Sequence, residues 1–366
     1  GRTLGRSGSV PIGRDRSFPL MGIRDVPMFD VICVGGGVAG ATTAGVLARS
    51  GRRVLVLERS CVPRDKACGE GILPHGVLVL DRLEVPLPRA TLTRGIHYRI
   101  GGESLVLDFP EGHGLAVRRL VLDDALRRFA IEAGAEVRQA TVRGIELLEE
   151  VGEGQSGSSR AATLLEGRAS SGCPPARDSS RPVGRERADS AGRSSPVPTG
   201  LGGRVSTDQG VFEGNLLVGA DGMHSVFHRD LGLRTRPRGG RVGISTHLTG
   251  FSASPDRVEV VCFDGGEAYI APVEDGLTLV ALLVDERLGL KASDGLDFVR
   301  QLLPDRAVGT RLATPVLGSS PLAFSVDRIA GKSWMRVGDS AGRIDPITGE
   351  GLSVALTSGV MAAEAA

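Results

Sequence analysis

The feature that most constrains the fold is a glycine-rich turn between an apolar strand and a helix of small residues. Residues 29–34 form a short apolar run, residues 38–50 are rich in small side chains, and Val54–Glu58 is a second apolar run. A strand, a helix and a strand of these lengths predict one βαβ unit with a parallel sheet. The turn between the first strand and the helix carries the pattern G-x-G-x-x-G. This arrangement is typical of dinucleotide-binding folds.

Each glycine of the pattern has its own mechanical role. Gly35 permits the tight turn, Gly37 lets the backbone approach a pyrophosphate, and Gly40 lets the helix pack close to the sheet. The start of the helix offers free N–H groups and a partial positive charge to the diphosphate. Glu58 closes the second strand, where it can accept hydrogen bonds from ribose hydroxyls and disfavours a 2′-phosphorylated cofactor. The candidate dinucleotide-binding residues are therefore Gly35, Gly37, Val38, Ala39, Gly40, Glu58 and Arg59.

The βαβ unit alone is compatible with either NAD or FAD. Two later segments favour FAD. Residues 217–222 read L-V-G-A-D-G and resemble the second FAD motif of the flavoprotein hydroxylase and reductase superfamily, with Asp221 as the motif aspartate. Residues 337–342 read V-G-D-S-A-G and resemble the G-D motif of that superfamily, through Gly338 and Asp339. The resemblance implies that Asp339 contacts the ribityl and pyrophosphate region of FAD. Read without the other motifs, Asp221 would simply be a turn residue before glycine.

Two further segments resemble signatures of the geranylgeranyl reductase family. They are residues 63–74, P-R-D-K-A-C-G-E-G-I-L-P, and residues 345–351, D-P-I-T-G-E-G. The resemblance spans residues 28–366 without the stretch 151–203. It implies a glutathione-reductase-like Rossmann domain for FAD, with a parallel sheet, interrupted by a substrate domain with an antiparallel sheet. It also implies that reduced FAD adds hydrogen across carbon–carbon double bonds of prenyl chains.

Several single residues are candidates for a place near the flavin. Gly349 and Gly351 lie at the start of the last helix, whose N–H groups can face the flavin pyrimidine carbonyl. Cys68 is interpreted as a packing residue, a substrate-positioning or proton-relay group, or a redox-active thiol, the last being the weakest reading. The resemblance places Arg119 alongside FAD and Tyr269 on the sheet above the substrate. The alternative for Arg119 is a solvated residue at a helix start, where arginine is not electrostatically favoured, so the cofactor contact is slightly preferred. Tyr269 could equally well only pack in its strand.

Composition excludes several other classes of function. With 44 basic and 43 acidic residues the net charge is +1, so no broad electrostatic field favours nucleic acid. The five cysteines form no C-x-x-C pair, which predicts a reducing, cytoplasmic location. No run reaches the roughly 18 apolar residues of a spanning helix, so any membrane contact would be at its surface. His224 and His228 lack a third ligand, which disfavours a metal site.

The chain divides into four kinds of segment. Residues 1–27 predict a disordered leader, and residues 151–203, rich in Ser, Gly, Pro and Arg, predict a disordered insertion. A helix is predicted over residues 123–133, a strand over 136–142, and an antiparallel sheet over 241–284. The FAD-binding domain comprises residues 28–74, 115–150, 204–237 and 330–366, and the substrate domain comprises residues 75–114 and 238–329.

The predicted function is an FAD-dependent oxidoreductase that reduces an isoprenoid or other lipophilic small molecule. The electrons would come from NAD(P)H, visiting transiently, or from an electron-donor protein, because the sequence has no second G-x-G-x-x-G between a strand and a helix that would form a resident nicotinamide domain. Two alternatives are a flavin monooxygenase and a non-catalytic flavin-binding redox sensor. Halogenation is disfavoured, since Trp334 is the single tryptophan and no W-x-W-x-I-P-like segment occurs. The chain stops within a helix that the family usually follows with others, so a fragment is also expected.

Overall fold

The computed structural model describes residues 28–60, 64–148 and 202–366. The predicted leader, residues 1–27, and nearly all of the predicted insertion, residues 151–203, lie outside the described residues.

The described residues form helices and strands in the following order. The helices are α1 (Val38–Arg49), α2 (Pro74–Leu83), α3 (Arg119–Glu132), α4 (Val226–Asp230), α5 (Gly295–Leu302) and α6 (Gly351–Ala365). The strands are β1 (Met28–Val34), β2 (Val54–Glu58), β3 (Gly71–Ile72), β4 (Thr91–Thr93), β5 (Gly95–Ile100), β6 (Glu103–Asp108), β7 (Gly114–Ala116), β8 (Glu136–Gln139), β9 (Val142–Leu147), β10 (Gly203–Thr207), β11 (Gly210–Gly219), β12 (Thr235–Arg238), β13 (Arg241–Thr249), β14 (Arg257–Phe263), β15 (Gly266–Pro272), β16 (Thr278–Asp285), β17 (Arg311–Leu312), β18 (Leu317–Ser319), β19 (Ala323–Val326) and β20 (Trp334–Arg336).

The first large sheet contains the predicted βαβ unit. It has seven strands, in the order β8-β2-β1-β11-β10-β9, with β20 paired to β11. Strand β1 is parallel to both β2 and β11, so the first strand of the unit is central. Five of the seven residues of β1 and four of the five of β2 are buried, since one face packs against α1 and α6 and the other against β9, β10 and α4. The parallel sheet predicted from the sequence is confirmed.

One predicted strand is in fact two. The sequence predicts a strand over residues 136–142, whereas β8 ends at Gln139 and β9 begins at Val142. The break lies where the Ala140 N–H donates to the Glu58 carbonyl and the Thr141 N–H donates to the Asp208 carboxylate. Strand β8 is therefore parallel to β2, while β9 joins the antiparallel ribbon with β10. Residues 136–142 contain no glycine or proline to mark a turn, so the sequence did not reveal the break.

The second large sheet confirms the antiparallel segment predicted over residues 241–284. It has eight strands, in the order β17-β13-β16-β15-β14-β5-β6, with β18 paired to β13. Strands β13 to β16 are all joined by antiparallel pairs, and β14 pairs with β5 in parallel. Gly265 and Gly276, with φ of +83° and +70°, lie in the turns. Helix α5 packs its buried Val299 in the apolar cluster on one face of this sheet.

Helix α2 differs from the domain assignment made from the sequence. The sequence places residues 75–114 in the substrate domain. In the structure, Val77 and Leu80 of α2 pack in one apolar cluster with Val38 of α1, Leu122 of α3 and Leu356 of α6. The stripe of apolar residues on α2 predicts that the helix is half-buried, but not which sheet it covers. Residues 74–83 therefore lie with the helices of the first sheet.

Candidate functional site

A cavity of about 780 Å³ lies between the two large sheets. One end is lined by the glycine-rich turn after β1 and by the end of β2. The other end is lined by one face of the second sheet, including Ser245, Val260 and Leu283. All the candidate residues named from the sequence line this cavity except Gly40.

The glycine-rich turn leaves its backbone open to the cavity at one position. Gly35 has φ of +99°, and a Cβ there would lie 2.5 Å from the Ala220 carbonyl oxygen. A Cβ on Gly40 would collide with the carbonyl oxygen of Gly35, so helix and turn touch without side chains. Around Gly37, in contrast, the nearest atom to an added Cβ is the Lys66 Nζ, at 3.6 Å. The turn can therefore bring its backbone at Gly37 against a ligand in the cavity.

The carboxylate of Glu58 lies beside the same turn. Its Oε2 accepts a hydrogen bond from the Gly36 N–H at 2.8 Å, and its Oε1 accepts one from the Ser60 N–H at 3.1 Å. A carboxylate has about four lone-pair sites, so acceptor capacity remains for hydroxyl groups of a ligand. The exposed Arg59 follows Glu58 at this end of the cavity.

Asp339 offers a carboxylate to the cavity. Its side chain is 42% exposed, and its nearest ionic partner is the Arg343 Nε, at 3.7 Å. The preceding Gly338 has φ of +56°, and its N–H donates to the Ser358 Oγ of α6 at 3.1 Å. Because Gly338 lies against Ala39, where an added Cβ would come within 2.9 Å of the Ala39 Cβ, the Asp339 turn packs directly on the start of α1. Asp339 and the glycine-rich turn therefore face the same ligand space.

The start of α6 lies at the cavity wall. Gly349 has φ of +70°, and neither Gly349 nor Gly351 has any atom within 4 Å of an added Cβ. A flat ring can therefore approach the backbone here, where the unpaired N–H groups of the helix carry partial positive charge.

Asp221 has a different arrangement from Asp339, although both line the cavity. Its Oδ2 accepts a hydrogen bond from the Val226 N–H at 2.7 Å, which holds the start of α4. Burial raises the pKa of the Asp221 carboxyl above its ordinary value, against the lowering effect of its hydrogen bonds to Ser225 and Val226. The carboxylate therefore organises the turn between β11 and α4.

Arg119 and Cys68 belong to one polar cluster at the cavity wall. The Arg119 Nη2 lies 3.0 Å from the Asp123 Oδ1, and the Lys66 Nζ lies 2.8 Å from the Asp123 Oδ2. Burial lowers the pKa of Arg119, but the nearby Asp123 and Cys68 outweigh it and leave this pKa above its ordinary value. Burial likewise acts to raise the pKa of Asp123, while Arg119 and Lys66 lower it below its ordinary value overall. The Arg119 guanidinium is thus committed to Asp123 and to the Cys68 sulfur.

A buried pair beneath Cys68, Glu70 and His247, was missed in the sequence. The Glu70 Oε2 lies 2.7 Å from the His247 Nε2, and the Glu70 Oε1 accepts a hydrogen bond from the Arg119 N–H at 2.8 Å. The Glu70 N–H in turn donates to the Cys68 Sγ at 3.3 Å, and the Cys68 N–H donates to the Ser245 Oγ at 3.2 Å. The signal available was the glutamate within C-G-E-G; nothing in the sequence singles out its partner.

Tyr269 lines the cavity, but its hydroxyl already has a partner. It donates to the Ile347 carbonyl oxygen at 2.7 Å, in the loop before α6. Burial, and next the negative charge of Glu267, raise the pKa of this phenol above its ordinary value. The neutral phenol therefore connects the second sheet to the loop before α6.

The two histidines considered as metal ligands do not share a helix. His224 precedes α4, which begins at Val226, and the His228 Nε2 lies 3.2 Å from the Ser340 carbonyl oxygen. Within residues 28–60, 64–148 and 202–366, no cluster of three or more metal-ligating side chains occurs. In the same part of the chain, no helix is both long enough and apolar enough to cross a bilayer.

The residues around the cavity fit FAD. The open backbone at Gly37 and the start of α1 suit a diphosphate, and Glu58 has acceptor capacity for the adenosine ribose. Asp339 is exposed to the cavity with only a distant ionic partner, and Gly349 and Gly351 leave room for a flat ring. These groups all line a single cavity, as one ligand that contacts all of them requires.

Comparison with known proteins finds no matching family model, but it finds relatives that match over most of the chain. The menaquinone reductase of Mycobacterium tuberculosis is 28% identical over 362 residues, covering 92% of this chain and 76% of the relative. Digeranylgeranylglycerophospholipid reductase 2 of Methanopyrus kandleri is 28% identical over 359 residues, with the same coverage of 92% and 76%.

Solved structures share the fold at lower identity. The flavin-dependent brominase Bmp2 superposes with a TM-score of 0.70 at 16% identity, covering 92% of this chain and 78% of the brominase. A flavoprotein/dehydrogenase from Cytophaga hutchinsonii superposes with a TM-score of 0.70 at 18% identity, covering 92% and 77%. The fold predicted from the sequence, an FAD-type Rossmann domain with a second antiparallel sheet, is confirmed.

Proposed function

We propose that this chain, an FAD-dependent oxidoreductase of the geranylgeranyl reductase type, hydrogenates carbon–carbon double bonds of an isoprenoid or other lipid-like substrate. The named relatives are reductases, one of a quinone and one of a prenylated phospholipid. The substrate named for the second relative and the substrate proposed for this chain both contain a long apolar chain with double bonds.

The observation that carries this proposal is the composition of the cavity. At one end lie the polar groups suited to FAD, with the open backbone of Gly37 and the carboxylates of Glu58 and Asp339. At the other end the wall is apolar, with Val258, Val260 and Leu283 of the second sheet. A mostly apolar cavity with a few convergent polar groups is the usual form of a small-molecule site.

In this scheme FAD, when bound, supplies the hydride that the double bond accepts. The protein holds the cofactor through the glycine-rich turn, Glu58 and Asp339, and through the start of α6. The second sheet excludes water and orients the apolar substrate, and Tyr269 fixes the loop before α6 through Ile347. These roles are positioning and shielding.

Hydrogenation also needs a proton, and Cys68 is the proposed group that holds it. Its Sγ lies at the cavity wall, where it accepts a hydrogen bond from the Glu70 N–H and lies in contact with the Arg119 guanidinium. These two contacts hold the sulfur at the cavity wall, within reach of a substrate.

The electron donor and the division into domains are part of the same proposal. We propose NAD(P)H or a donor protein as the reductant, supported by the presence of one G-x-G-x-x-G turn between a strand and a helix among the described residues. The two large sheets, with the cavity between them, support the division into an FAD-binding and a substrate domain.

The test is a spectrum followed by an anaerobic assay. Purified protein should show flavin absorbance, release FAD on denaturation, and convert a polyprenyl lipid into a product with one added hydrogen molecule per reduced bond. Asp339→Ala should bind FAD at least about tenfold more weakly, since a charged hydrogen bond is worth about 1.5–3 kcal/mol. Asp305→Ala, an exposed aspartate outside the cavity, is the control.

Two results would contradict the proposal. Protein that binds no FAD when the cofactor is added would remove its basis. Oxygen-dependent formation of a hydroxylated product, with no anaerobic hydrogenation, would instead identify a monooxygenase.

A further inference from the structure

One face of the second sheet continues beyond the cavity to an exposed edge strand. On β14, Val258 and Val260 line the cavity, and they pair with Ile96 and Tyr98 of β5, which also line it. Directly paired residues on adjacent strands point to the same face of a sheet. The cavity wall therefore extends across β14 onto β5.

The same face continues onto β6, the last strand. Ile96 pairs with Leu107, and Tyr98 pairs with Leu105. Leu105 and Leu107 therefore lie on the cavity face, although neither lines the cavity itself. We call Ile96, Tyr98, Leu105 and Leu107 the apolar row.

The outer half of the apolar row is exposed. Leu105 is 56% exposed and Leu107 is 48% exposed, and all six residues of β6 are exposed. Proteins usually protect an edge strand with charges, proline or a bulge, because a bare apolar edge promotes aggregation. Contiguous exposed apolar side chains of this kind mark binding surfaces.

The opposite face of the same strands has a different character. Val106 of β6 pairs with His97 of β5, and His97 pairs with Glu259 of β14. Glu259 is bound by Arg99 at 3.2 Å and by Arg306 at 2.8 Å. That face carries a charged network, so the apolar surface that continues the cavity belongs to one face alone.

We propose that the apolar row holds the distal part of a long, linear isoprenoid chain whose reacting double bond lies in the cavity. This inference rests on the proposed function and deepens it, since it names the substrate class as lipids long enough to cross the sheet. Strand β13 carries Ser245, which contacts the Cys68 loop. Strand β6 lies five strand spacings from β13, or about 24 Å at roughly 4.8 Å each. A short prenyl group would not reach Leu105.

Continuity with the cavity favours this occupant over a bilayer surface. The two ends of β6 are Glu103 and Asp108, and Asp108 is paired with the Arg257 guanidinium at 2.6 Å, so β6 itself offers no basic side chain to anionic lipid headgroups. The row also leads directly from residues that line the cavity, whereas a docking patch for a membrane needs no such connection.

The test compares both faces of one strand. In the FAD-loaded full chain, Leu105→Gln combined with Leu107→Gln should raise the KM for a long polyprenyl lipid about tenfold or more, by loss of contact with apolar surface. The KM for a short prenyl alcohol and kcat for both substrates should be unchanged. Val106→Gln, a substitution of an equally exposed apolar residue on the opposite face, should change neither KM.

A binding measurement separates this inference from the proposed function. The dissociation constant of a fully saturated polyprenyl analogue, which cannot react, should rise in the double variant and not in the Val106 variant. If no prenyl substrate is reduced but the analogue still discriminates between the faces, the proposed reaction fails and the subsite stands. Equal effects of both variants, no effect of either, or loss of vesicle binding without loss of analogue binding would overturn the subsite.

Discussion

The carboxylate of Glu70 and the imidazole of His247 lie 2.7 Å apart, and both side chains are buried. The pair joins the loop that carries Cys68 to strand β13 of the second sheet. Glu70 has φ of +52°, a left-handed conformation that costs a non-glycine residue of order 1 kcal/mol or more. The structure maintains that strain because the carboxylate also accepts the Arg119 N–H at the start of α3. Glu70 is therefore a positioning residue for the Cys68 loop.

Removal of the Glu70 carboxylate should destabilise the protein and release Cys68. Glu70→Ala leaves the Arg119 N–H and the His247 Nε2 without this partner, at about 1–3 kcal/mol for each unsatisfied group. Glu70→Gln keeps an acceptor and should lose less. We expect faster alkylation of Cys68 in the alanine variant, measured by peptide mass spectrometry, together with a lower free energy of unfolding. Equal alkylation rates in the alanine and glutamine variants would exclude the positioning role.

Asp221→Asn should separate a structural role from a cofactor role at this position. Because burial raises the pKa of Asp221 in the folded state, the folded protein favours the protonated carboxyl. Its contribution to stability is present at low pH and is lost as the pH rises through the folded pKa. Asparagine imitates the protonated form, so the free energy of unfolding at pH 7 should be equal to or higher than that of the unsubstituted protein. This difference in free energy should vanish below about pH 4.

The control for that variant is FAD affinity. Since the Asp221 carboxylate accepts the Val226 N–H, which an asparagine oxygen can also accept, FAD binding should be retained. A large loss of FAD from Asp221→Asn at unchanged stability would show that the charge itself contacts the cofactor.

Asp123 should produce the opposite dependence on pH. Its pKa lies below its ordinary value of 3.8 despite the opposing effect of burial, because Arg119 and Lys66 favour the ionised form. The stabilisation is therefore complete above about pH 4 and is lost as the pH falls through the depressed folded pKa. Asp123→Asn should lower the free energy of unfolding at pH 7 and flatten its decline in acid, as measured by urea denaturation at several pH values. An unchanged acid decline would contradict this assignment.

Alanine substitutions at two glycines of the G-x-G-x-x-G pattern should have different effects. Gly40→Ala forces a Cβ into the Gly35 carbonyl oxygen, and such overpacking typically destabilises by about 1–3 kcal/mol. Gly37→Ala meets only the end of the Lys66 side chain, so the apoprotein should keep its Tm while FAD binds at least about tenfold more weakly, as a blocked backbone approach would cause. Thermal melts of apoprotein and FAD titrations distinguish the two. If both variants lost only stability, the turn would not be the diphosphate site.

Much of the cofactor end could be predicted from the sequence because its signals are local. The strand Val54–Glu58 has the predicted bounds, and the first strand and α1 differ by one residue. Gly35, Gly40 and Glu58 lie within one βαβ unit, where chain geometry alone determines which backbone atoms meet. The later G-A-D-G and G-D turns were recognisable by resemblance, since each is a short continuous segment.

What depended on tertiary structure involves partners far apart in the chain. Glu70 and His247 are 177 residues apart, and neither pattern nor propensity connects them. The direction of the Asp221 carboxylate depends on where α4 begins. The position of α2 depends on the apolar side chains of α1, α3 and α6 against which it packs. Strand β6 contains a run of three apolar residues, 105–107, which does not distinguish an edge strand from a buried one. Only the strand order places it at an edge, and only the pairing register places Leu105 and Leu107 on the cavity face. Local sequence determines the elements and the backbone turns, whereas long-range packing decides which side chains meet, because its free energy comes from contacts between segments that the chain does not link directly.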